Sequence, residues 1–174
     1  MDYNNVVLIG FMGTGKSTVG LALADKLGWR FVDADREIEQ KEGRPIPQIF
    51  SEDGEEYFRS VESAVIAEIM QGRRQIISMG GGAVLAPVNR EEMSRNGLVI
   101  ALTASLQTIV QRVRTDQNRP LLQGNVEERV AALMEQRKNA YDFADIHINT
   151  DELPVQEIVD QIVEAAGEAG KKLL

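Results

Sequence analysis

The sequence predicts a doubly wound α/β domain, a five-stranded parallel sheet with helices on both faces, formed as one unit over residues 1–174. Three observations lead there. Short, mainly apolar runs alternate with stretches whose apolar residues recur at helical spacing, the pattern of a parallel sheet buried on both sides. No composition break, internal repeat or low-complexity linker divides the chain. The first three apolar runs each end in glycines or paired aspartates, and folds of this class bind ligands beyond the carboxyl ends of their strands.

The elements follow in order. "NNVVLIG" reads as a strand ending in glycine, and "KSTVGLALADKLG" as a helix with Val19, Leu23 and Leu27 on one face and Gly28 as its stop. "RFVDAD" is a second strand and "REIEQKEG" a helix closed by Gly43. "GEEYFRSVESAVIAEIMQG" is a longer helix whose Phe58, Val61, Val65 and Ile69 share a face. "RRQIISMGGG" runs as a third strand into three glycines, and "GLVIALTA" is a fourth. A helix over "LQTIVQRVR" leads to the polar stretch "TDQNRPLLQGN". Then come a helix over "VEERVAALMEQRKNAYDFAD", a fifth strand "IHINT", and a last helix over "PVQEIVDQIVEAAGEAG" with Pro154 in its first turn.

Composition narrows the function. A net charge of −8 and a pI near 4.8 argue against a nucleic-acid binder, since the phosphate backbone attracts clustered Lys and Arg. A chain with no cysteine has no disulfide, thiolate nucleophile or Cys-based metal centre. The start "MDYNNVVLIGFMG" lacks the basic opening and long apolar stretch of a signal peptide, and no window nears the roughly 20 apolar residues that span a bilayer. A cytoplasmic protein with no membrane partner is expected.

Gly10 to Ser17, "GFMGTGKS", matches the phosphate-binding loop G-x-x-x-x-G-K-[ST], with the strand before and helix after that the motif needs. Its glycines let backbone N–H groups turn inward around phosphate oxygens, and the helix N-terminus adds a favourable dipole. Lys16 would neutralise the β and γ phosphates, and Ser17 would hold Mg²⁺. Asp33 and Asp35 stand two residues apart, so on a strand both carboxylates project to one side. One would serve the metal's shell while the other faces the acceptor; a solvated strand end or a helix cap is the competing reading. His147, the chain's only histidine, reads as a structural or surface residue, so a general base must be a carboxylate, which favours Asp35. "SMGGGAV" admits close approach of a ligand to backbone, or a plain flexible turn. The loop from 114 to 125 reads as a lid whose arginines, Arg114 or Arg119, would fold onto a transferring phosphoryl group. Arg59 and Arg137 lie within helical stretches and taken alone are solvated faces, with Glu55 and Glu62 placed to pair with Arg59.

Taken together, "GFMGTGKSTVG", "FVDADREIE", "IFSEDGEEYFRSVE", "SMGGGAV", "RPLL" and "ALMEQRKNAYDFAD" resemble the shikimate kinase family in order and spacing over nearly the whole chain. The resemblance implies a P-loop kinase fold like that of nucleoside monophosphate kinases, with a lid over about 114–125, and a monomer. It implies phosphoryl transfer from ATP to the 3-hydroxyl of shikimate, on the route to chorismate and the aromatic amino acids. By position, Asp35 would contact the shikimate hydroxyls and act as base, with Lys16 and Arg119 as its catalytic partners. Gly13, Thr14, Gly15, Lys16, Ser17 and Thr18 would hold ATP, with Arg119 reaching the phosphates and Arg114 packing on adenine. Arg59 and Arg137 would grip the shikimate carboxylate, Glu62 would orient them, and Gly80, Gly81 and Gly82 would face the substrate. Ser17 would ligate Mg²⁺ and Asp33 would sit near it through water. Two positions depart from the family's commonest pattern: Ala34 stands where Thr or Ser is frequent, and Asn149 where many relatives carry Asp in the adenine-side loop.

Two other functions compete. Another P-loop small-molecule kinase, for gluconate or a nucleoside monophosphate, shares the loop and lid but does not call for Asp33, Asp35, Arg59, Gly80 to Gly82 and Arg137 together. A sensing module without turnover would be expected to have lost Lys16, Asp35 or Arg119, and all three are present.

Overall fold

The computed structural model describes residues 3–115, 125–170 and 173. Five parallel strands, β1 (Asn5–Ile9), β2 (Arg30–Asp33), β3 (Gln75–Ser78), β4 (Leu98–Thr103) and β5 (Ile146–Asn149), form one sheet in the order β2-β3-β1-β4-β5. β1 sits at its centre, with Val7 registered against Ile77 on one side and Val99 on the other. Successive side chains of a strand face opposite ways, and the core divides accordingly. Val6 and Leu8 pack with Ile76 and Ile100 under helices α1 (Lys16–Leu27) and α7 (Val155–Glu168). Val7 and Ile9 pack with Ile77 and Val99 under α3 (Ile46–Ile69) and α4 (Pro87–Asn96).

This order fixes where a ligand can sit. From β1 the chain leaves towards the β2 edge, while from β3 it crosses β1 to reach β4. The loops after β1 and β3 therefore diverge and leave a crevice between them, the topological switch point of such sheets. That crevice holds the phosphate-loop motif on one side and the three glycines on the other.

The expected doubly wound sheet is present, and Gly28 and Gly43 end α1 and α2 (Ala34–Glu42) in the left-handed conformation expected of helix stops. Helix α5 (Leu106–Arg114) matches its expected bounds. Four local readings are corrected. The strand "RFVDAD" stops at Asp33, and α2 begins at Ala34 because the Asp33 carboxylate caps it. Helix α3 starts earlier than expected, at Ile46, and is broken at Gly54, where φ is 85°. Helix α6 (Val126–Gln136) ends at Arg137 rather than running through the segment to 145; Ala140, Tyr141, Phe143 and Ala144 leave the helix to pack on the core under α3 and α4. Pro154 caps α7 from outside its first turn. Helix α4 was not expected, since of its polar sequence only Asn89 and Met93 are buried. No described helix is long and apolar enough to cross a membrane.

Candidate active site

The loop after β1 is shaped by glycines in conformations other residues resist: φ is 147° at Gly10, 77° at Gly13 and 94° at Gly15. A Cβ on Gly10 would collide with the Leu102 carbonyl oxygen. Thr14 is buried, its hydroxyl donating to the Phe11 carbonyl at 2.8 Å. Lys16 opens α1 and donates to the carbonyls of Gly10 and Phe11 at 2.8 and 3.0 Å, so its ammonium lies over the loop. Ser17 and Thr18 are exposed in the same first turn. From behind, Arg112 on α5 donates to the Gly13 carbonyl at 2.9 Å, and Thr150 after β5 lies 3.0 Å from the Thr14 carbonyl.

Asp33 and Asp35 come to the crevice by a different geometry from the one expected. Asp33 ends β2, and its Oδ1 accepts the N–H groups of Asp35 and Arg36 at 3.0 and 3.3 Å. Asp35 therefore projects from the first turn of α2 rather than from the strand, and Ala34 between them is buried. Helix-cap chemistry, one of the two readings of the pair, holds for Asp33. Burial pushes the Asp35 carboxyl up to about 6, the charges of Asp33, Glu62 and Glu39 add to this, and Lys16 opposes it. A carboxylate so placed is ionised at neutral pH yet basic enough to take a proton.

The three glycines after β3 each face a different charged side chain. A Cβ on Gly80 would stand 2.8 Å from Asp35 Oδ1, one on Gly81 3.3 Å from Arg137 Nη1, and one on Gly82 2.5 Å from Arg59 Nη2. Glycine is needed here because side chains would fill the space those groups share. Arg59 is only 28% exposed and pairs with Glu62 at 2.7 Å, and Glu62 is 3% exposed, which sets aside the solvated-face reading for Arg59. Burial raises the Glu62 carboxyl, against the hydrogen bond from Arg59 and the charge of Arg137. The more exposed Glu55 lies 3.7 Å from Arg59. Arg137, at the C-cap of α6 rather than inside a helix, stacks over Phe11 with its guanidinium carbon 5.8 Å from the ring centre. Glu62 is thus bonded to Arg59 and feels Arg137 through its charge alone, and the Arg137 guanidinium is placed to take an anion with forked oxygens. Tyr141, unnoticed in the sequence, donates its hydroxyl to the Gly81 carbonyl at 3.0 Å.

The remaining expected residues stand apart from this cluster or outside the description. Arg114 is the last residue of α5 and is exposed. Arg119, with the part of the lid over 116–124, lies outside the described residues. His147 is exposed on β5, as read from the sequence. The Asn149 side chain closes its own turn by accepting the Asp151 N–H at 2.7 Å.

Comparison with known proteins converges on one family. The shikimate kinase family model matches residues 12–166. A shikimate kinase of Moorella thermoacetica is 44% identical over 161 residues, 92% of this chain and 93% of that one. One of Geobacter sulfurreducens is 47% identical over 162 residues, 92% and 90% of the two chains. A shikimate kinase of Acinetobacter baumannii, solved in complex with shikimate, aligns with a TM-score of 0.90 at 36% identity, covering 96% of this chain and 94% of that one.

Proposed function

The chain belongs to the shikimate kinase family and phosphorylates shikimate from ATP, and we propose that the crevice between β1 and β3 is where its own residues do so, giving shikimate 3-phosphate and ADP. One observation carries this assignment: three consecutive glycines set Asp35, Arg137 and Arg59 around one space beside the phosphate loop. Arg59 and Arg137 bind the shikimate carboxylate, and Glu62 holds Arg59 in place. Gly80, Gly81 and Gly82 form the floor on which the ring lies. Gly13, Thr14, Gly15, Lys16, Ser17 and Thr18 hold the ATP phosphates. In this reading Arg119 also serves those phosphates and Arg114 packs on adenine.

Asp35 accepts the proton of the 3-hydroxyl as its oxygen attacks the γ-phosphorus, and the bond to the β–γ bridging oxygen breaks. Lys16 offsets the charge that gathers on the leaving diphosphate. The oxygen donors at the loop, the Ser17 hydroxyl and the Asp33 carboxylate, fit Mg²⁺, which keeps its waters and takes one or two protein oxygens alongside substrate phosphates. Ser17 would hold the ion directly and Asp33 through water. Bound there, Mg²⁺ supplies charge neutralisation on the phosphoryl oxygens. On the family resemblance the enzyme works as a monomer in the cytoplasm, where ATP is the phosphoryl donor.

Release of ADP from Mg-ATP tests the assignment. We expect it to require shikimate and to stay at background with gluconate or nucleoside monophosphates. Turnover with either of those in place of shikimate would keep the phosphate loop and break the roles of Arg59 and Arg137.

A further inference from the structure

With the loop after β1 read as the ATP phosphate site, we infer that Thr150 is a positioning residue for it: its buried hydroxyl holds the Thr14 carbonyl back and so aims the Gly15 N–H at the phosphates. Thr150 is 1% exposed, and its Oγ1 lies 3.0 Å from the Thr14 carbonyl and 3.1 Å from the Thr103 carbonyl. A hydroxyl carries one hydrogen, and the Thr103 carbonyl already accepts the Thr150 N–H at 2.8 Å. We place the hydroxyl hydrogen on the nearer Thr14 carbonyl, since Thr103 keeps the backbone N–H as its partner in either case. Arg112 completes the clamp, Nη1 donating to the Gly13 carbonyl at 2.9 Å and lying 3.4 Å from Thr150 Oγ1, and Nη2 reaching the Thr150 carbonyl at 3.3 Å.

The consequence follows from peptide geometry. A planar trans peptide carries its C=O and the next residue's N–H on opposite sides. Pulling the Thr14 carbonyl towards β5 turns the Gly15 N–H the other way, into the crevice. Gly13 and Gly15, at φ of 77° and 94°, flank the Thr14–Gly15 peptide with residues that tolerate other conformations, so a bond from outside the loop adds to those within it in fixing that peptide. The turn after β5 does not itself need the hydroxyl, because Asn149 accepts the Asp151 N–H and Asp151 accepts the Ser105 N–H.

Thr150→Val removes the hydroxyl at nearly constant shape. We expect the Kd of ADP and the KM of ATP to rise about tenfold, the worth of one buried hydrogen bond, with the KM of shikimate unchanged within twofold. The Ki of inorganic tripolyphosphate against ATP should rise by the same factor, which places the loss at the phosphates rather than the base. Thr150→Ser, which keeps the hydroxyl and drops the methyl, should recover the affinity. If the Val variant does not fold by circular dichroism, the Ser and Ala variants, alike but for the hydroxyl, make the same comparison. An ADP Kd unmoved by loss of the hydroxyl, a Ser variant as weak as its hydroxyl-free counterpart, or an unchanged tripolyphosphate Ki would each overturn the inference. Wild-type protein that binds no ADP would instead remove the ATP-site reading, and this inference with it.

Discussion

Asp35→Asn lowers kcat by about 10² to 10⁴, the usual worth of a positioned base, and at the same time makes the free protein harder to melt at neutral pH. The second effect comes from the same burial as the first. In the folded chain the Asp35 carboxyl titrates at about 6 against 3.8 for the ordinary group, burial being the main cause. A pKa raised by folding adds stability that is fully present below about 4 and is lost as the pH rises through about 6. Two units correspond to about 3 kcal/mol, so wild type at pH 8 carries a cost of that order which the amide does not. We expect the Asn variant to melt several degrees above wild type at pH 8 and level with it near pH 4. In wild type, kcat/KM for shikimate should fall on the acid side of about 6, and that limb should be missing from the variant's residual activity. A folded variant with near-normal kcat would remove Asp35 from the role of base.

Arg137→Ala raises the Kd of shikimate by roughly 30- to 1000-fold, about 2 to 4 kcal/mol, and leaves the Kd of ADP within twofold. Arg137 stands over Phe11 and against Gly81, where little water would remain beside a bound carboxylate. Its loss leaves Arg59 committed to Glu62 and takes away the charge in excess. The fold should survive, because Glu62 keeps its partner. Arg137→Lys retains the charge without the fork and should fall between the two. Calorimetry that finds shikimate binding unchanged would return Arg137 to a solvated surface role.

What could be read in the sequence was local. The phosphate loop, α1, α5 and the glycine stops of α1 and α2 follow from chemistry within a few residues, and they stand where expected. The aspartate pair reaches the crevice by a geometry other than the one its spacing predicts. Asp33 satisfies two helix amides with its own side chain, and that cap outweighed the extended pattern of "RFVDAD". Arg59 and Arg137 could not be told from solvated helix residues by composition, and only the family resemblance singled them out. Their meaning depends on convergence with Gly81, Gly82 and Glu62 across separate elements. Tyr141, Arg112 and Thr150 left no local signal, because the groups they hold lie 60, 99 and 136 residues away in the chain. Helix α4 leaves no apolar periodicity in its sequence, and its one buried polar residue, Asn89, is satisfied by a bond to the Ala83 carbonyl that only the folded chain supplies.

The most direct measurement is diffraction from crystals of this protein grown with shikimate. We expect the carboxylate within about 2.6–3.2 Å of both Arg59 and Arg137, the ring over Gly80 to Gly82, and the 3-hydroxyl at the same reach from Asp35. Shikimate bound with its carboxylate away from both arginines, or with Asp35 turned from the 3-hydroxyl, would contradict the assignment of this crevice.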